Sequence, residues 1–118
     1  MELDNIVNII DGQYLTKKIQ NINIQYAGAA DLMSDILALT DQPMILITGL
    51  CGIQVVRTAE MSGNILAIIF VRNKLPTPNI IDEAEHLNIP LIKTKLSMFE
   101  TCGLLYENNI KPVPLKYD

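Results

Sequence analysis

From Met44 to Thr94 the chain alternates between two hydrophobic rhythms. "MILIT" (44–48) and "ILAIIFV" (65–71) are unbroken apolar runs bounded by turn residues, the pattern of strands buried on both faces. Between them, "GIQVVRTAEM" has helical spacing and is closed by Ser62 and Gly63. "TPNIIDEAEHL" (77–87) predicts a second helix, with Thr77 as its cap, Pro78 at the first helical position and Ile80, Ala84 and Leu87 on one face. "IPLIKT" (89–94) is again a strand.

The flanks follow the same alternation. Leu3, Ile6, Val7 and Ile10 have helical spacing, with Gly12 as the expected stop. "QYLT" and "INIQYAG" read as extended, the second placing Ile22, Ile24 and Tyr26 along one face. Asp31 is positioned to cap "LMSDILALT", where Leu32, Met33, Ile36, Leu37 and Thr40 line one side. The last helix has a capping-box signature in Ser97 and Glu100, after which Met98, Phe99, Cys102, Leu105 and Tyr106 share a face. Beyond Ile110, "KPVPLKYD" has prolines at alternate positions and reads as an extended, unpaired tail.

Strand and helix joined by short links predict an α/β fold: a mainly parallel sheet of four to five strands flanked by helices in a three-layer sandwich. Residues 1–110 form the expected domain and 111–118 the tail. Size supports this. A chain of 118 residues is one domain, and it should expose roughly 6,400 Å² folded against roughly 19,000 Å² extended, enough burial for a core without metals or disulfides. With 49% hydrophobic and 19% charged residues it is not a disordered chain.

Charge and composition exclude several functions. The net charge is −4 and there is no tryptophan, so neither a basic face nor a rich set of stacking rings favours nucleic acid. No apolar run is long enough to span a bilayer or serve as a signal peptide, and a cytoplasmic location is expected. Cys51 and Cys102 form no CxxC pair and read as free thiols.

In a parallel α/β sheet the loops at the strands' carboxyl ends form one rim, where ligands usually sit. Four segments should meet there: "YAGAAD" with Ser34, "TGLCG" (48–52), "RNK" (72–74) and "TKLS" (94–97). The rim thus collects Asp31, Ser34, Thr48, Gly49, Gly52, Thr94 and Ser97, together with the cations Arg72, Lys74 and Lys95. Free helix N-termini at such a rim attract anions.

Catalytic apparatus is not visible. Gly49 and Gly52 lack the lysine of a Walker loop, and no G-x-G-x-x-G occurs, so "ITGLCGIQ" reads first as a strand-to-helix turn and second as a passive anion contact. Cys51 near a helix start would need a base, and the single histidine, His86, falls on the solvent side of its helix. Asp31 and Asp35, four apart without a histidine, are a weak metal pattern. No cofactor or metal is expected.

"GAADLMSDILA", "ITGLCGIQVVRTAE", "LAIIFV" and "IPLIKTKLSMFETCGLLYENNI" together resemble the DRTGG domain, over roughly residues 1–110. "DLMSD" and "TKLSMFETCGLLYE" are the most specific pieces, and Asp31, Ser34, Thr48, Thr94, Ser97 and Glu100 are the matching positions. The motif that named the family is missing: "NINIQYAGA" stands in its place. The module is similar to the N-terminal domain of HPr kinase/phosphorylase, whose chemistry resides in a separate P-loop domain absent here. It also occurs in regulated enzymes such as CBS-containing pyrophosphatases. The resemblance implies a regulatory module. Two functions follow as expectations: binding of a small anionic ligand, a nucleotide among the candidates, at the rim, or homodimerisation and partner binding without a ligand. For the second, Leu104 and the "VPL" tail are the nominated contacts.

Overall fold

The computed structural model describes residues 1–17, 21–39 and 42–115. Along them run α1 (Leu3–Ile9), β1 (Gln13–Tyr14), β2 (Tyr26–Ala29), α2 (Met33–Leu39), β3 (Met44–Thr48), α3 (Ile53–Ser62), β4 (Ile65–Phe70), α4 (Pro78–His86), β5 (Leu91–Lys93), α5 (Met98–Glu107) and β6 (Lys111–Pro112). Among the described residues the strands form one sheet in the order β1-β5-β4-β3-β2-β6. Every neighbouring pair is parallel except β1 with β5. The architecture is an α/β three-layer sandwich, with more strands than the apolar runs alone predict.

The period-two pleat divides the core. Met44 and Leu46 of β3 and Ile68 and Phe70 of β4 face α2, α3 and α4, meeting Ile36, Val55, Val56, Ala59, Ile80 and Ala84. Ile45 and Ile47 of β3 and Ala67 and Ile69 of β4 face the other way, toward Leu3, Ile6 and Val7 of α1 and Leu105 of α5. Each such aliphatic burial is worth about 1.5–3 kcal/mol. This is why both strands are apolar at every position. Register shifts once between β3 and β4, beside Leu66, so that Leu66 and Ala67 both turn toward the α1/α5 side.

The winding explains the rim. From β2 to β5 the chain advances one strand at a time through α2, α3 and α4, all on one face. After β5 it changes face: α5 crosses the opposite side and delivers β6 beyond β2. The loops after β4 and β5 therefore leave toward opposite faces, which makes this pair the sheet's topological switch point.

Several local expectations are corrected. Gly12 does not end α1 through a left-handed turn; Asp11 takes that conformation (φ 51°), and Gly12 is pressed against β5, where a Cβ would lie 2.9 Å from Ile92 Cγ2. Ile24 and Tyr26 do not share a face: Ile24 joins the α1/α5 core and Tyr26 the other, because β2 pairing begins only at Tyr26. Leu32 (59% exposed) and Leu37 lie in water, leaving Met33 and Ile36 as the packed face of α2. Thr40 falls outside the described residues. On α5 the buried residues are Thr101 and Leu105, while Phe99 and Tyr106 point to solvent.

The C-terminal segment is extended, but as far as Val113 it is not unpaired. Lys111 N–H donates to Gln25 O and Val113 N–H to Ala27 O, both at 3.0 Å, and Val113 is buried. Pro112, and Pro114 beyond it, occupy the alternate positions, whose N–H would face outward. The free edge of β6 is thereby stripped of donors, a common defence of exposed sheet edges.

Candidate functional site

The residues expected at the rim separate into three groups. The first is built on the loop after β3. Asp31 does not cap α2; its Oδ1 accepts from Gly49 N–H at 2.7 Å and Thr48 Oγ1 at 3.1 Å, so the carboxylate ties β2 to β3. Thr48 is fully buried, and its hydroxyl also accepts from Leu50 N–H at 3.1 Å. Arg72 lies across this turn: a Cβ on Gly49 would stand 2.6 Å from Arg72 Nη2 and 3.4 Å from Asp31 Oδ1. Only a glycine lets the guanidinium lie this close to the backbone.

Arg72 reaches that position from an unusual backbone. It and Asn73 both adopt left-handed conformations, φ 58° and 56°, which non-glycine residues enter at a cost. Arg72 N–H bonds to Leu96 O and Asn73 N–H to Thr94 O, at 2.8 and 2.9 Å, lacing the β4 and β5 loops together. The switch-point crevice is closed by main chain, and the exposed Arg72 side chain is turned back over β3. Among the described residues its guanidinium has no ion-pair partner. Next to it α3 begins at Gly52, whose position provides no side-chain cap, and no acidic residue sits in the first turn. The first turn of α3 thus has no capping side chain on its donors and keeps the positive end of its dipole, with the Gln54 amide oxygen folded back to within 2.7 Å of where a Gly52 Cβ would stand.

The second group serves the fold. Thr94 is buried; its hydroxyl donates to Ile10 O at 2.7 Å and accepts from Leu96 N–H at 3.3 Å, joining β5 to α1. Ser97 and Glu100 form the capping box, each side chain accepting from the other's backbone N–H at 3.1 Å. Hydrogen bonding of the Glu100 carboxylate to Ser97, its backbone N–H first and its hydroxyl second, holds that carboxyl below its ordinary range. The N-terminus of α5 is already satisfied.

The third group stands apart. Lys95 pairs with Asp11 at 3.2 Å, both well exposed, beside a hollow of about 380 Å³ lined by Asp11, Gln13, Asn73, Lys93 and Lys95. Asn73 belongs to the expected "RNK" segment, whereas Asp11 and Lys93 were not expected at the rim; only the fold brings the α1–β1 turn next to β5. Ser34 is exposed on α2 and makes no hydrogen bond to the Asp31 group. Cys51 is half-buried and packs against the α2–α4 core, while His86 lies at the far end of α4. Both cysteines are free, and burial pushes the Cys102 thiol up. Among the described residues no three potential metal ligands cluster, and no helix is long and apolar enough to cross a membrane.

Comparison with solved structures gives a likeness of fold. No family profile matches the chain, and no curated protein does. The crystal structure of the CBS and DRTGG domains of the regulatory region of Clostridium perfringens pyrophosphatase, complexed with the activator diadenosine tetraphosphate, superimposes with a TM-score of 0.66. The match covers 98% of this chain at 17% identity. The fold is DRTGG-like. The chain spans about half of the matched one, 48% of its length, so the DRTGG-like unit corresponds to part of that regulatory region. At this identity the likeness is one of fold, and the rim's chemistry must be argued from its own residues.

Proposed function

We propose that this chain is a non-catalytic regulatory module that binds a small anionic ligand of the nucleotide class on its carboxyl-end rim. The observation that carries the reading is Arg72 laid over Gly49 beside the uncapped start of α3. A guanidinium offers a planar, bidentate fork to a phosphate, and a helix N-terminus adds aligned N–H groups. Asp31 and Thr48 hold the turn in place from below. The regulatory pyrophosphatase region with the same fold was crystallised with a nucleotide activator, which supports the ligand class. Gly52 completes the proposed site, with Ser34 at its margin. Thr94, Ser97 and Lys95 contribute as rim architecture, being occupied by internal bonds.

Thermal unfolding against nucleotides, dinucleoside polyphosphates and phosphorylated metabolites tests the proposal. A ligand at about 100 times its dissociation constant adds about 2.7 kcal/mol, a rise of roughly 10 °C for a domain this size. Arg72→Glu should abolish the shift while leaving the unliganded melting temperature within about 2 °C, since Arg72 is exposed. A ligand bound equally well by Arg72→Glu would place the site elsewhere. A flat response at millimolar ligand would overturn the reading.

A further inference from the structure

The hollow beside Lys95 lies outside the carboxyl ends of β4 and β5, the strand pair at which the chain changes face. Ligands of open α/β sheets favour that position. Its volume is about 380 Å³, within the roughly 300–1,000 Å³ of small-molecule sites. Main chain fixes its walls. On the β4 side the turn from Val71 to Lys74 is closed by Lys74 N–H on Val71 O at 3.1 Å, and Asn73 N–H ties it to Thr94 O. On the far side is the α1–β1 turn, where Gly12 N–H donates to Val7 O at 2.8 Å. A Cβ on Gly12 would stand 3.2 Å from Lys93 O, so this turn sits directly against β5 and sets Asp11 and Gln13 beside it.

The side chains around the hollow carry donors in excess. Gln13 is directly opposite Lys93 in the β1–β5 pair, which puts both on one face of the sheet. Lys93 is half-buried, and among the described residues its ammonium has no ion-pair or hydrogen-bond partner. The side-chain amides of Gln13 and Asn73 are likewise unbonded among the described residues. Asp11 is the single acid in the lining, and Lys95 already holds it at 3.2 Å. Two lysines against one aspartate leave the hollow positive, in a chain whose net charge is −4.

We propose that this hollow is a second anion site, separate from the Arg72 position, and that it takes a small phosphorylated compound. Lys93 supplies the standing charge, and the amides of Gln13 and Asn73 supply neutral donors around it. A lysine offers rotatable donors rather than a planar fork, which suits the oxygens of a tetrahedral phosphate better than a flat carboxylate. Lys95 joins them by turning away from Asp11. Their side chains are 65% and 77% exposed, and so open a pair costs little to break. The strained turn explains why two sites lie back to back. Successive left-handed residues, Arg72 and Asn73, send one side chain over Gly49 and leave the other lining the hollow.

NMR titration of the isotope-labelled intact chain with glycerol 3-phosphate tests the site. The amide signals of Gly12, Gln13, Thr94 and Lys95 should shift and saturate at millimolar concentrations, while those of Gly49 and Gly52 report the Arg72 position separately. Lys93→Gln should weaken the binding read at Gly12 about tenfold, with unchanged signals elsewhere showing that the fold is intact. Asp11→Asn should tighten it about threefold by freeing Lys95; asparagine accepts the left-handed backbone at this position (φ 51°), so the turn survives. Arg72→Gln should leave it within about twofold, whether or not the Arg72 position takes a ligand. Acetate should bind at least about tenfold more weakly than the phosphate ester. The absence of a saturable shift around the hollow would overturn the proposal. So would binding that survives Lys93→Gln, weakens in Asp11→Asn, falls equally in Arg72→Gln or is matched by acetate.

Discussion

The loop after β3 and the loop after β5 look alike in sequence and serve different ends. Each begins with a threonine at the end of a strand and leads to the start of a helix, through "TGLCG" and "TKLS". After β5 every polar group is spoken for: Thr94 binds the end of α1, and Ser97 and Glu100 cap α5. After β3 the threonine and Asp31 brace the turn from beneath, glycine stands at the helix cap, and Arg72 lies across the top. Satisfied helix ends build a fold. A helix end without a side-chain cap, close to an exposed cation, is where an anion can be held.

That contrast can be broken at either loop. The largest effect is expected from Thr94→Val, which strands the Ile10 carbonyl and the Leu96 N–H: about 2 kcal/mol in urea unfolding, with rim ligand affinity unchanged once folded. Ser97→Ala should cost about 1 kcal/mol through the lost cap, again without touching ligand binding. A drop in affinity in either variant would show that the β5 loop shares the site.

Gly49→Ala reverses the pattern. Its methyl group would enter the space of Arg72 Nη2, 2.6 Å away, but the arginine is exposed and can move aside. Stability should change by less than about 0.5 kcal/mol while ligand affinity falls about tenfold, as read by calorimetry. A stable protein with intact affinity would mean that the position of Arg72 over the turn is incidental.

The smallest effect concerns pH. Glu100 is depressed below its ordinary value by hydrogen bonds from Ser97. A carboxylate with a lowered folded-state pKa adds stability above its unfolded pKa and loses it as pH falls through the folded one. The capping contribution should therefore be complete at neutral pH and fade only in the acidic range below the ordinary glutamate value. In Ser97→Ala, NMR titration of Glu100 should move back up toward that ordinary value.

Much of this architecture was legible along the chain because it depends on neighbours in sequence. The doubly apolar runs of β3 and β4, the capping box of α5 and the Gly63 close of α3 (φ 70°) all follow from local periodicity and backbone preference. Faces were less legible where burial depends on what lies opposite. Phe99 and Tyr106 carry the spacing of a packed stripe, yet the residues α5 buries are Thr101 and Leu105, with Met98 and Cys102 half-buried beside them. Ile24 and Tyr26 obey strand alternation on paper, but pairing starts at Tyr26.

The rim divides along the same line. That Asp31, Thr48, Gly49, Arg72, Thr94 and Ser97 belong to the carboxyl ends of strands was readable from a βα alternation, since the direction of parallel strands fixes which loops share an end. Which of them remain free for a ligand was not. Thr48 and Thr94 are the same residue in the same local setting, and only their tertiary partners distinguish them: Asp31 for one, the carbonyl of Ile10 for the other. Local sequence determines which groups each loop carries, whereas long-range hydrogen bonding decides which are used up. Asp31 and Thr48, like Ile10 and Thr94, are distant in the chain and adjacent in space, and no periodicity encodes that proximity.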